Sequence, residues 1–224
     1  MIASWPCPGP AGPADEYAFV FDHDRDRRVL IVPALFDEAN RTRRFLIEAM
    51  RRLEALGIDS FLIDLPGCNE SLQRFAAQSL GAWRDAVERA VRHFRATHVL
   101  SVRGGALLVP GDLPGWRLEP VRGPALLRQL IRARVIAARE EGREERSEEL
   151  LEAGRMNGIE LAGYPCCAGL VAGLESAELP QTEIQVNIRQ GKLGGSALWL
   201  RSEPSEHPAQ SAALAAILAE GAMP

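Results

Sequence analysis

The chain has 224 residues, a net charge of -4 at pH 7 and 46% hydrophobic residues. The length suits one domain, and the composition is ordinary for a globular protein. The absence of a net basic field argues against a nucleic-acid partner. With neither a signal-peptide pattern nor a long apolar stretch, we expect a cytoplasmic protein without a membrane span. The four cysteines (Cys7, Cys68, Cys166, Cys167) have no metal-binding or disulfide spacing, so we expect no metal and no cofactor.

The first half alternates predicted strands and helices. Residues 1–15 hold four prolines and are expected to form a loose lead-in. Gly57 follows a helical pattern and is placed to end it as a C-cap glycine. The alternation indicates βαβ units in a parallel sheet with right-handed crossovers. The predicted strands are 17–21, 28–35, 58–65, 98–102 and 116–121, and the predicted helices are 40–56 and 72–94.

The second half adds a helical segment before the sheet resumes. Seven of the thirteen residues at 140–152 are glutamates, which is typical of a solvated helical face. The remaining predicted elements are a helix at 124–141, a short strand at 159–163, a short helix at 167–174, strands at 183–189 and 197–201, and a final helix at 209–218. We predict one domain over 16–224 with a helical insertion at about 123–157.

The turn after the predicted strand 98–102 reads Ser-Val-Arg-Gly-Gly, residues 101–105. Its small flanking residues fit the G-x-S-x-G nucleophile elbow of α/β hydrolases, at the sheet edge where ligands bind. Arg103 stands where the nucleophilic serine is expected. Arginine stays protonated and cannot attack a carbonyl, but it can hold a carboxylate or phosphate with two hydrogen bonds. The pattern therefore predicts an α/β-hydrolase-like fold: a mostly parallel central sheet with helices on both faces, a small helical cap region and a degenerate elbow.

The other members of a catalytic triad are incomplete. His207 follows the last predicted strand and is the one candidate catalytic residue, although an exposed loop histidine is an equally good interpretation. No carboxylate directly follows the strand at 183–189, where the triad acid is expected. Cys68 could be a reactive thiol, but a small buried residue is the commoner role. A standard Ser-His-Asp triad is therefore not expected.

Three stretches carry a resemblance to a known family: residues 36–44 (FDEANRTRR), 64–71 (DLPGCNES) and 102–108 (VRGGALL). Over about 28–220 the chain resembles the exosortase A system-associated hydrolase 2 family. Its members are α/β-hydrolase-like proteins encoded beside exosortase and exopolysaccharide genes in Gram-negative bacteria. The family pattern also has arginine at the elbow. This chain has Asn69-Glu70 where the pattern has Gly-Asp, which weakens any role carried over to that loop.

The resemblance implies a set of ligand-binding residues. The loop after the first buried strand replaces the oxyanion loop of esterases, and it offers Glu38 and Arg43, which could pair with each other or with Arg103. For Asn40, the N-cap of the following helix is the favoured interpretation. The expected polar pocket consists of Arg103, Gly104, Phe36, Glu38 and Arg43.

Two function hypotheses stay open at this point. In the first, the protein binds a small anionic ligand through Arg103 without triad catalysis. In the second, it is a hydrolase or acyl transferase for an ester or thioester, with His207 as the base. Protein partners from the exosortase and polysaccharide pathway are compatible with both.

Overall fold

The computed structural model of the protein describes residues 1–9, 12–201, 203–205 and 207–221. The strands are β1 (Ile2–Cys7), β2 (Ala14–Phe21), β3 (Arg28–Val32), β4 (Asp59–Ile63), β5 (His98–Val102), β6 (Gly115–Leu118), β7 (Ile159–Leu161), β8 (Tyr164–Cys166) and β9 (Gln185–Ile188). The helices are α1 (Asp37–Ala55), α2 (Leu80–His93), α3 (Gly123–Glu140), α4 (Ser147–Asn157), α5 (Ala168–Ser176), α6 (Gln190–Leu193) and α7 (Pro208–Gly221). Short 3-10 turns lie at Phe75–Ala77, Arg103–Leu107 and Leu198–Leu200.

Seven strands form one sheet in the order β1-β2-β4-β3-β5-β6-β9. The five strands from β4 to β9 in that order are parallel, whereas β2 runs antiparallel to both of its neighbours. Every residue of β3 and β4 is buried. This agrees with the prediction from their apolar sequences that helices cover both faces of these strands. The carboxyl ends of the parallel strands share one edge of the sheet.

Helices cover both faces of this sheet. On one face the core is built by α2, α3 and α5, with Trp83, Val87 and Leu126 among its buried side chains. On the other face α1 packs against α7, and Met50 and Leu214 are fully buried there. The predicted mostly parallel sheet with helices on both faces is confirmed.

The segment from α3 to α5 packs as a group and reaches the carboxyl edge of the sheet. In it, α3 contacts α4, α5 and β7, and β7 and β8 form a separate two-stranded hairpin. Two hydrogen bonds tie the segment to the start of α1. Tyr164 Oη donates to Asp37 at 3.1 Å, and Gln129 Nε2 donates to Glu38 at 3.3 Å.

Three predicted elements differ from the structure. The prediction of a loose lead-in at 1–15 was wrong for Ile2–Cys7, which form β1. The side chains of Trp5 and Cys7 are buried in the core, and proline is tolerated in a strand at the edge of a sheet. The predicted strand at 197–201 is a 3-10 turn. There the consecutive residues Leu198 and Trp199 are both buried, whereas in a strand they would point to opposite faces.

The helix predicted at 72–94 begins later, at Leu80. Ser79 caps it, since its side chain accepts a hydrogen bond from the backbone N–H of Ala82 at 3.1 Å. The end of α1 agrees with the sequence, because Gly57 follows the helix with φ +77°, in the left-handed region that favours glycine.

Gly105 allows the turn after β5 to pack directly against the chain leaving β3. A Cβ at this position would lie 2.2 Å from the carbonyl oxygen of Pro33 and 3.0 Å from that of Val32. Both obstacles are backbone atoms in the core, so they cannot move aside easily.

We therefore predict that Gly105→Ala lowers the free energy of unfolding by about 2 kcal/mol or more, measured by urea denaturation. Gly191→Ala is the matched control, because a Cβ on Gly191 meets nothing within 4 Å. Equal effects of the two substitutions would contradict the close packing at Gly105.

Candidate functional site

The turn that carries Arg103 is tight and strained. Arg103 is the first residue after β5 and has φ +52°, a conformation that non-glycine residues rarely adopt. Gly104 is buried, and a Cβ there would lie 3.0 Å from a methyl carbon of Leu126 and 3.1 Å from Cγ of Leu35. The small residues after Arg103 are thus required by packing, as the sequence pattern predicted.

The guanidinium of Arg103 is held by a bidentate ion pair with Glu38. Its Nε donates to Oε2 at 3.1 Å and its Nη2 donates to Oε1 at 3.0 Å. The side chains are 13% and 4% exposed. Nη1 donates to the carbonyl oxygen of Glu119 at 3.2 Å, and the guanidinium carbon lies 4.7 Å from the ring centre of Trp199. Arg103 is therefore fixed on several sides by the protein itself.

Arg43 belongs to a second, separate ion pair. It lies in α1, and its Nη1 donates to Asp64 Oδ1 at 2.6 Å. Asn69 Nδ2 donates to the same oxygen at 2.6 Å, and Asp64 is buried. The structure thus joins Glu38 with Arg103, one of the expected pairings, while Arg43 bonds a carboxylate that follows the neighbouring strand.

Phe36 lies in a group of aromatic side chains beside these ion pairs. It precedes α1 with φ +58°, and its ring centre lies 5.2 Å from that of Tyr164. Phe75 and Trp83 complete the group, with ring centres 6.1 and 6.4 Å from that of Phe36. Trp83 Nε1 donates to the carbonyl oxygen of Pro66 at 2.9 Å, so the only polar atom of that ring is satisfied.

A cavity of about 200 Å³ opens beside this aromatic group, which we call the aromatic cavity. It lies between the loops after β3 and β4, the start of α1 and the β7–β8 hairpin. None of its lining residues is charged, and Arg103 and Arg43 are not among them. The lining residues are Pro33, Ala34, Leu35, Phe36, Ala39, Asn40, Leu65, Gly67, Cys68, Asn69, Phe75, Trp83, Gly163, Tyr164 and Pro165.

Few polar side chains reach the cavity. Asn40 is exposed and lies within the first turns of α1; the N-cap interpretation was wrong, because the helix begins at Asp37. Burial raises the pKa of the Cys68 thiol to about 12, and the nearby carboxylates of Asp64 and Glu16 add to the shift. At neutral pH Cys68 is therefore a protonated thiol, which is a poor nucleophile.

Among the described residues, no hydrogen bond or ion pair joins His207 to the other predicted site residues Arg103, Glu38 and Arg43. Its Nε2 lies 3.2 Å from the position that a Cβ on Gly195 would take. Its Nδ1 is buried and has no hydrogen-bond partner among the described residues. No described carboxylate orients this imidazole, as a catalytic histidine would require.

Sequence reasoning missed several residues of this site, among them Trp199, Gln129 and the carbonyl of Glu119. Trp199 was placed in a strand, and Gln129 in the helix predicted at 124–141. Their roles come from contacts that span 16 positions of the chain for Glu119, 91 for Gln129 and 96 for Trp199, which no local pattern contains. The only signal at Tyr164 and Phe75 in the sequence is their aromatic character, in a chain with 6% aromatic residues. Within the described ranges, no group of three or more His, Cys, Asp or Glu side chains is arranged to hold a metal, and no helix is long and apolar enough to span a membrane.

The Arg103–Glu38 pair can be tested by a double-mutant cycle. Arg103→Met leaves Glu38 buried without its partner, so we predict a loss of about 3 kcal/mol in the free energy of unfolding. Adding Glu38→Met should recover part of this loss, because both charges are then gone. Arg122→Met breaks an exposed pair with Glu178 and should change stability by less than about 1 kcal/mol. Strictly additive effects at 38 and 103, measured by urea denaturation, would refute the coupling.

Comparison with known proteins identifies the fold of this chain but no family to which it belongs. No protein-family model and no curated protein matches the chain. Among solved structures, a protein from Agrobacterium vitis S4 named "Putative hydrolase" superposes with a TM-score of 0.57 at 15% identity, over 100% of this chain and 99% of that one. Est1E from Butyrivibrio proteoclasticus, solved with ferulic acid, gives 0.51 at 14% identity, over 74% and 68%. Rv0554 from Mycobacterium tuberculosis gives 0.51 at 13% identity, over 84% and 80%. With its mostly parallel sheet flanked by helices, the chain has the α/β-hydrolase fold.

Proposed function

We propose that this protein binds a small, uncharged, acyl-bearing ligand in the aromatic cavity and does not carry out triad catalysis. The observation that carries the proposal is the cavity lining, which is aromatic and aliphatic with a few amide and thiol groups and no charge. Such a lining is typical of small-molecule sites, where polar groups fix the orientation of a largely apolar ligand. The volume of about 200 Å³ is below the usual range of about 300–1,000 Å³, so it suits a small ligand or the end of a larger one.

The absence of triad catalysis rests on the chemistry of three side chains. We equate the Arg103 turn with the nucleophile elbow, which puts a permanently charged guanidinium where a nucleophile would act. Cys68 lines the cavity, but its raised pKa keeps it protonated. Among the described residues, no nucleophile and no carboxylate is hydrogen-bonded to His207.

The charge distribution favours the acyl-bearing ligand over the anionic one. An anion at the sheet edge would compete with Glu38 for Arg103 and with Asp64 for Arg43. Displacing Glu38 would leave a carboxylate that is 4% exposed without its cation, and that is costly. A neutral ligand in the aromatic cavity leaves both ion pairs intact.

A second candidate is a hydrolase or acyl transferase with His207 as the base. The buried Nδ1 of His207 favours it, since a buried imidazole nitrogen without a described hydrogen-bond partner is unusual and is compatible with a catalytic role. This candidate needs a nucleophile other than Arg103, such as an activated water.

We also propose a connection with exosortase and exopolysaccharide metabolism. This part of the proposal rests only on the resemblance of residues 36–44, 64–71 and 102–108. It predicts that the gene lies beside exosortase and polysaccharide genes. A genomic neighbourhood without them would remove this part of the proposal and leave the ligand site unaffected.

Ligand class can be decided with hexanamide and hexanoate, which share the hexanoyl group and differ in charge. We predict that hexanamide shifts the NMR signal of the Trp83 indole N–H saturably and binds at least about 10-fold more tightly than hexanoate, because none of the residues that line the cavity is positively charged. Ala39→Leu should weaken hexanamide binding about 10-fold by filling the cavity. Ala137→Leu, on the exposed face of α3, is the matched control. Tighter binding of hexanoate, lost in Arg103→Met, would favour the anionic ligand instead.

Catalysis is tested with 4-nitrophenyl butyrate and butyryl thioesters. We predict no turnover above the heat-inactivated protein for the wild type, Arg103→Ala and His207→Ala. Wild-type turnover that His207→Ala abolishes would establish a non-standard catalytic site and overturn the binding proposal.

A further inference from the structure

The strand β9 ends the sheet with an open edge. It pairs with β6 on one side, and on its other side no described residue pairs with it. The sequence predicted a further strand at 197–201, but that segment forms a 3-10 turn. The outward backbone N–H and C=O groups of β9 are thus free to pair with another chain.

This edge has few of the features that protect edge strands from pairing. Val186 is 62% exposed and Ile184 is 48% exposed, although both are large apolar residues. Residues 183–189 (EIQVNIR) contain neither lysine nor proline, and the charged residues stand only at the two ends. An exposed, apolar edge of this kind is a template for strand addition.

The segment is also complementary to itself in antiparallel orientation. Around Val186, Glu183 mirrors Arg189, Ile184 mirrors Ile188, and Gln185 mirrors Asn187. We propose that two copies of this protein pair through β9, antiparallel, about a two-fold axis at Val186. The two seven-stranded sheets then become continuous. The proposal is independent of the ligand in the aromatic cavity.

The hydrogen-bond directions along β9 fit this register. Gly115 N donates to the carbonyl of Ile184 and Glu119 N donates to that of Ile188, so the backbone groups of these residues point toward β6. Because directions alternate along a strand, Gln185 and Asn187 present theirs outward. In the paired copies, Gln185 of one faces Asn187 of the other as a hydrogen-bonded pair. Val186 then faces its own copy in a non-hydrogen-bonded pair, with the Cα atoms about 4.5 Å apart.

Side chains at this interface would be matched in chemistry. Val186 of one copy contacts Val186 of the other, and the exposed Ile184 of one copy lies opposite Ile188 of the other. Ile188 belongs to a buried hydrophobic cluster, which Ile184 of the second copy would extend. Glu183 and Arg189 are both exposed and face each other with opposite charges at both ends. The existing contact of Arg189 with Glu119, 3.5 Å long and largely exposed, is weak enough to be exchanged.

A cysteine cross-link tests the axis directly. Val186→Cys should form an intermolecular disulfide under mild oxidation, because two residues at this separation fit disulfide geometry. Ile184→Cys is the matched control, because Ile184 is exposed on the same face of the strand. The two substituted positions of the dimer would lie four residues apart along the strands, about 13 Å, so they should not cross-link. The wild type, with its four native cysteines, reports the background on a non-reducing gel. Absence of cross-linking at 186, or equal cross-linking at 184, would overturn the proposal.

Charge exchange tests the register without disulfides. Glu183→Arg and Arg189→Glu should each raise the dimer dissociation constant about 10-fold or more in sedimentation, since each places like charges opposite one another. The double variant Glu183→Arg/Arg189→Glu should restore dimerisation, which a folding defect would not do. A wild type that stays monomeric at all concentrations up to about 1 mM, or a double variant no better than the singles, would refute the pairing.

Discussion

The carboxyl edge of the sheet depends on the buried ion pair between Arg103 and Glu38. It connects the end of β5 with the first turn of α1, and further bonds from the same two side chains reach β6 through the Glu119 carbonyl and α3 through Gln129. Four elements therefore meet at two charges that are almost fully removed from water. Such a pair adds little net stability over an apolar replacement, but removing one partner is costly. Its main consequence is that it fixes how these elements meet.

This pair also determines what the edge can bind. A free arginine at the end of a parallel strand would attract anions, yet the guanidinium donors here go to Glu38, a backbone carbonyl and the face of Trp199. Arg43 is neutralised in the same way by Asp64. The charges of the edge are thus satisfied internally, and the space left open beside them is lined by aromatic and aliphatic groups. A ligand in that space would be held mainly by apolar burial, with Asn40 and Asn69 as the amides beside its polar end.

The sequence predicted those parts of the fold that depend on local pattern. The largely apolar runs at β3 and β4 are buried throughout because helices cover both faces of the sheet, and Gly57 ends α1 because only glycine adopts the left-handed conformation readily. The strand β1 was not predicted because of the prolines near the N-terminus. It is stabilised by the burial of Trp5 against Phe94, which lies far along the chain. At the site, the sequence offered Glu38 and Arg43 as partners of each other or of Arg103, and it did not identify Asp64 as the partner of Arg43. That choice depends on which strand end each turn of the helix faces.

The packing around the turn after β5 holds Arg103 in a strained backbone conformation. A non-glycine residue at φ +52° is strained by about 1–3 kcal/mol, and such strain survives only where the surroundings enforce it. The residues that follow Arg103 enforce this conformation. Gly104 and Gly105 pack too closely against Leu35, Leu126 and the Pro33 carbonyl for the turn to relax. The turn aims the guanidinium at the start of α1, so the strain supports the internal contact between Arg103 and Glu38.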